Sequence, residues 1–180
     1  MPAIEEDDMD ETISLSRRAF DRLPVDLLVV PIAADRGSKS PFATLDRRAG
    51  GRLRRDATRL GFTGAIGQEL WLHPSQPGTA HTVLLLGAGP APRLSFWYEL
   101  ADALVRHAGR LRAARAAIAL GAFATPEVVG AVAEGIALAR YTFTRYRSRP
   151  PREAALAVTL QVDAVSAAQR RSLAEATVYA

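Results

Sequence analysis

Hydrophobic positions fall along the chain in two rhythms. Thr12 to Ser16 alternates polar and apolar residues, and Val25 to Ile32 is an almost unbroken apolar run that includes Pro31. The first pattern predicts an edge strand, the second a strand buried on both faces. Gly67 to His73 (GQELWLH) and His81 to Leu86 (HTVLLL) are apolar again, on either side of the turn-rich Pro74–Ser75–Gln76–Pro77–Gly78. Two such runs about one turn predict adjacent, hairpin-linked strands. Arg115 to Leu120 and Leu156 to Val162 bring the count to about six.

Helical rhythm fills the intervals. From Leu45 to Leu60, the residues Leu45, Ala49, Leu53, Ala57 and Leu60 fall on one stripe at 100° per residue, and Arg48, Arg52, Arg55 and Arg59 on another. The first stripe is expected to be buried and the second solvated. Gly50 and Gly51 interrupt the run, which suggests close packing or a local break, because each glycine costs about 1 kcal/mol in a helix interior. Ser95 is placed to cap a helix through about Ala113, with Glu99 near its start and Arg106, Arg110 and Arg112 near its end. Thr125–Pro126–Glu127 reads as an N-cap followed by proline at the first helical position, with the helix continuing to about Tyr141. Ser148 to Arg152 (SRPPR) is a short connector, and a last helix starts near Ser166. Strands alternating with helices predict an α/β fold, a mixed or mostly parallel sheet of about six strands flanked by helices on both faces.

Length and charge refine this picture. A chain of 180 residues suits a single core. The absence of cysteine excludes disulfides, thiolate metal sites and a thiol nucleophile. No apolar run approaches the roughly 18 residues of a membrane span, and the opening residues are acidic where a signal peptide is basic and then apolar. A cytoplasmic chain with no membrane partner is therefore expected. The net charge of +4 conceals an asymmetry. An acidic leader at 1–11 holds six of the 19 acids, so from Thr12 to Ala180 the 23 bases face the remaining 13. Only Lys39 among those bases is a lysine. The Arg48, Arg52, Arg55, Arg59 stripe has two readings, a solvated helix face or a polyanion-binding face.

Candidate chemistry is sparse. The histidines are His73, His81 and His107, none at helix-face metal spacing with a carboxylate, and no metal or catalytic residue is assigned. His73 and His81 flank the turn without nearby acids in sequence. No Walker loop, nucleophile elbow or Gly-x-Gly-x-x-Gly is present. Gly87, Ala88 and Gly89, after a strand and before a helix, are the weak candidates for receiving a phosphate or carboxylate on backbone N–H groups. The bland alternative is a tight turn. Trp71, Phe96, Trp97 and Tyr98 are expected to pack in the core or an interface, and Tyr141 to Arg147 to form a helix end with snorkelling arginines.

Taken in order, VDLLVVPI (Val25 to Ile32), SPFATLDRRAGGRLRR (Ser40 to Arg55), GFTGAIGQELWLH (Gly61 to His73), VLLLGAG (Val83 to Gly89) and ARYTFTRYRS (Ala139 to Ser148) resemble the amino-terminal domain of the leucyl aminopeptidase (M17, cytosol aminopeptidase) family. The resemblance covers the chain from about residue 12. It implies a macro-domain-like fold for residues 12–180. It also implies that the two divalent metals and the peptidase groups belong to a larger carboxy-terminal domain whose Asn-Thr-Asp-Ala-Glu-Gly-Arg motif has no counterpart here. Two origins are compatible with it, a fragment of a metallo-aminopeptidase or a stand-alone copy. The chain itself is then expected to need no cofactor and to be monomeric or weakly dimeric, with an M17 catalytic domain or another protein as partner. Macro folds hold ADP-ribose-type ligands and some bacterial members bind DNA through this domain, so a small-molecule binder and a DNA-binding module are the alternatives.

Overall fold

The computed structural model describes residues 13–19, 22–33, 41–73, 80–145 and 156–178. The acidic leader, Lys39, the turn at Pro74 to Gly78, the connector at Ser148 to Arg152 and the stretch beyond Arg145 to Arg147 lie outside them. Eleven elements follow one another: β1 (Ile13–Ser16), β2 (Leu27–Ala33), α1 (Pro41–Arg48), α2 (Arg52–Arg59), β3 (Glu69–Leu72), β4 (Thr82–Gly89), α3 (Leu94–Leu111), β5 (Arg115–Gly121), α4 (Pro126–Arg145), β6 (Ala157–Val162) and α5 (Ala167–Val178). The six strands make one sheet in the order β1-β6-β5-β2-β4-β3. Only the β3–β4 pair is antiparallel, as a hairpin-linked pair should be, and the sheet is therefore mixed.

Two cores sandwich the sheet. Leu27 and Val29 of β2 join Phe96, Trp97, Leu100 and Leu104 of α3 and Val129, Val132 and Ile136 of α4 on one face. Leu28, Val30 and Ile32 join Phe42 and Leu45 of α1 and Ala57 of α2 on the other. α5 packs beside α4 on the first face, where Leu173 and Ala176 reach that core. On the second face the β1–β6 end carries Ser14, Ser16, Thr159 and Gln161, by alternation with Ile13, Leu15, Val158 and Leu160. Gln161 is buried there, and its Oε1 has no hydrogen-bond partner.

The predicted helix over 45–60 is two helices. Gly50 and Gly51 adopt left-handed backbone at φ 62° and 76°, so the chain turns between α1 and α2. The Gly51 amide closes on the Asp46 carbonyl at 2.8 Å. The Asp46 side chain holds the corner through the Arg54 amide at 2.9 Å and the Arg54 Nε at 3.4 Å. The turn breaks the apolar stripe, and Leu60, expected inside, is 65% exposed. Ser95 is not the cap of α3 either. Arg93 occupies the N-cap with no side-chain bond, and Ser95 is already helical. Thr125 does cap α4, its Oγ1 accepting from the Val128 amide at 3.2 Å. Ser166 and Gln169 form a reciprocal capping box for α5 at 3.1 and 2.7 Å.

The amino ends of β2, β4 and β5 meet at Asp26, whose Oδ2 accepts from the amides of Ala114 and Arg115 at 3.0 and 2.9 Å. Those bonds, the Arg115 one foremost, hold its carboxyl below the ordinary 3.8.

At the other end of β4, the segment 61–68 folds back over the strand. A Cβ on Gly87 would lie 1.9 Å from the Ala65 carbonyl oxygen, and one on Gly89 2.8 Å from Ile66 Cγ1. Gly87→Ala is expected to destabilise the fold by about 2 kcal/mol or more, since backbone must move to admit the methyl. Urea unfolding measures it, and a loss below about 0.5 kcal/mol would mean that the 61–68 segment yields freely.

Candidate functional site

β3 directs Glu69 and Trp71 toward the face covered by α3, which brings Asp102, Arg106 and His107 against them. His107 is 5% exposed, its ring edge-on to Trp71 with centroids 4.6 Å apart. Its Nε2 has Glu69 Oε2 at 3.3 Å and Arg106 Nη1 at 3.2 Å, so one tautomer donates to the carboxylate and the other accepts from the guanidinium. Arg106 also reaches Glu69 Oε1 at 3.9 Å and Asp102 Oδ2 at 3.6 Å. Burial lowers the His107 pKa from the ordinary 6.5, helped by Arg106 and opposed by Glu69. A cleft of about 480 Å³ opens beside this group, with Leu86 and Phe96 at its base and Glu69, Glu99, Asp102 and Arg106 around it. This arrangement pairs charge along a groove. The imidazole itself is shut away beneath it, poorly placed to exchange protons with a bound molecule.

Gly87, Ala88 and Gly89 lie inside β4 rather than in a loop after it, and all three are buried. The Gly87 amide donates to the Gln68 carbonyl at 2.8 Å and the Gly89 amide to the Gly64 carbonyl at 2.9 Å. Both N–H groups are thus already committed within the chain. A different amide nest sits nearby, one that sequence reading missed. Gln68 Oε1 accepts from the amides of Thr63, Gly64 and Ala65 at 2.8, 3.1 and 3.2 Å, and from Thr63 Oγ1 at 3.0 Å. A side-chain carbonyl of the chain itself fills a concavity of the kind that binds anions.

The arginine stripe is divided by the Gly50–Gly51 turn. Arg48 closes α1, whereas Arg52, Arg55 and Arg59 are exposed on α2 and line a cleft of about 330 Å³ with Asp56. Of the turn-flanking histidines, His73 is exposed and His81 sets its Nδ1 3.5 Å from Asp26 Oδ1. Phe96 and Trp97 are buried as expected, and Trp97 tilts against Phe123 at 5.4 Å. Tyr98 donates to Glu134 Oε2 at 2.6 Å, and that hydrogen bond raises its pKa. Among the described residues no group of three or more His, Cys, Asp or Glu can hold a metal ion, so they do not fit a two-metal centre. No described helix is long and apolar enough to cross a membrane.

Comparison with known proteins bears on this geometry. The model of the cytosol aminopeptidase family, N-terminal domain, matches residues 29–150. A probable cytosol aminopeptidase of Streptomyces griseus subsp. griseus is 34% identical over 144 residues, 75% of this chain. The match spans only 27% of that relative's length. A tomato leucine aminopeptidase structure superposes over 96% of this chain and 36% of its own, with a TM-score of 0.73 at 23% identity. A Trypanosoma brucei macrodomain superposes over 98% of this chain and 71% of its own, with a TM-score of 0.62 at 14% identity. At those identities the two structures speak to the fold alone, which is macro-domain-like.

Because His107 is held neutral, stability is complete above 6.5, where the unfolded imidazole also loses its proton, and is lost as pH falls through the lower folded value. Urea midpoints of the wild type are expected to fall between pH 7 and 5, and those of His107→Phe to fall less. Parallel pH profiles would remove His107 as the cause.

Proposed function

The chain belongs to the cytosol aminopeptidase family through that family's N-terminal domain, and we propose that it acts as a non-catalytic accessory domain, regulatory or assembling, to peptidase chemistry carried by other residues. The observation that carries this reading is the match of 29–150 to the N-terminal domain, in a chain whose described residues hold no candidate metal cluster. On the same reading the two divalent metals are ligated outside the described residues. The working partner is an M17 catalytic domain or another protein, the setting is cytoplasmic, and residues 12–180 form one folding unit, monomeric or weakly dimeric in isolation. Incubation of the full chain with a chromogenic leucine amide and added manganese or zinc is expected to release nothing above the protein-free rate. Release that scales with protein concentration would overturn the proposal.

A second reading, polyanion binding such as DNA, is favoured by one observation: Arg52, Arg55 and Arg59 line one cleft on α2. Each phosphate contact releases condensed counterions, so such binding weakens steeply with salt. A gel shift on duplex DNA is expected to lose affinity with rising salt, and Arg52→Ala to weaken it and shallow the salt slope by about one unit. Binding indifferent to salt and to Arg52 removes this reading.

A further inference from the structure

β3 ends the sheet, and among the described residues no strand pairs with its outer edge. The bond from the Gly87 amide to the Gln68 carbonyl sets the phase of the β3–β4 ladder. Alternation from that pair turns the peptide groups of Leu70 and Leu72 toward β4 and those of Glu69 and Trp71 outward. An edge with unspent N–H and C=O groups is a template for another strand. The cleft between this edge and α3 has an apolar base, Leu86 and Phe96, below Glu69, Glu99 and Asp102. Among the described residues lining the cleft, Arg106 is the one cation, and it is engaged with two of those carboxylates. Glu99 and Asp102 remain exposed. The groove therefore has a hydrogen-bonding wall, a greasy base and a surplus of negative charge. A groove between an edge strand and a helix admits an extended peptide, whose main chain supplies affinity and whose alternate side chains supply selectivity.

We propose that the β3–α3 groove takes an extended segment of a partner protein as an added antiparallel strand, with basic side chains at alternate positions set against Glu69, Glu99 and Asp102. The residue opposite Glu69 would then exchange both main-chain bonds with it and place its side chain on the same, α3-facing side. A basic residue there meets the carboxylates, and its aliphatic stem covers Leu86 and Phe96. This inference stands whether or not the accessory role holds, because it concerns only what the groove accepts.

The test uses the full chain, amide-resolved NMR and the probe acetyl-Thr-Arg-Val-Arg-Thr-amide. The expected result is saturable shifts at Glu69, Trp71 and the Trp71 indole, absent with the counterpart that has glutamate in place of arginine. N-methylation of the two arginine amides is expected to abolish binding and N-methylation of the valine amide to spare it, since only the former face β3. Glu99→Lys with Asp102→Lys, both at exposed positions, is expected to weaken binding about tenfold or more, as charge reversal in a complementary interface does. Absence of binding, equal binding of the glutamate peptide, or indifference to arginine N-methylation each overturns the proposal. So does free arginine amide binding as tightly as the peptide, which marks a small-cation site. Self-association broken by the lysine pair, with no response to peptide, marks a second copy as occupant and overturns it as well.

Discussion

Leu27, Leu28, Val29 and Val30 send successive side chains to opposite faces of the sheet, and all four are at most 1% exposed, so neither face at β2 can be left to water. β4 and β5 impose the same demand beside it. Parallel strands joined by crossover helices answer that demand, because each crossover lays a helix on a face. α3 and α4 cover one side and α1 and α2 the other. The edges of the sheet are relieved of it: β1 alternates, and β3 is short and opens on the charged, exposed Glu69. Glu69, at the start of β3, meets Arg106 and His107 of α3 at that margin, where burial is incomplete.

The carboxyl end of β4 shows how tightly the fold is drawn. Gly87 and Gly89 look in sequence like a turn or a phosphate loop. Their use is close approach, since the 61–68 segment lies where side chains would be and takes both amides as donors. Gln68 then folds its own amide oxygen into the nest made by residues 63–65. Two backbone features associated with anion binding are thus spent on holding one loop to one strand.

Most of the architecture was legible because it rests on local rhythm. All six strands, the hairpin-linked pair, the cap at Thr125 and the helix start near Ser166 were visible as patterns of two to eight residues. The errors share a cause. The apolar stripe keeps its phase through Gly50 and Gly51 although the backbone there turns left-handed, so periodicity alone puts Leu60 inside and four arginines on one helix. Ser95 has a capping side chain, but the chain enters α3 two residues earlier. The groove was not legible at all, because Glu69 meets Arg106 and His107 only after β3 and α3 have been brought together across β4. A lone histidine on an amphipathic helix and a lone glutamate at a strand start carry no sign of each other.

The first strand has a consequence in time. Among the described residues β1 has a single neighbour, and Ile13 to Ser16 pair with Val158 to Gln161, near the opposite end of the chain. Contacts between such distant stretches form late, because the loop they close is long. Because synthesis runs from the amino terminus, β1 is made well before β6, the described strand it pairs with. Through that interval its apolar residues, Ile13 and Leu15, must wait without a sheet. Among the described strands, the one made first is thereby secured by one made late, and a chain stopped before β6 would leave β1 without that partner.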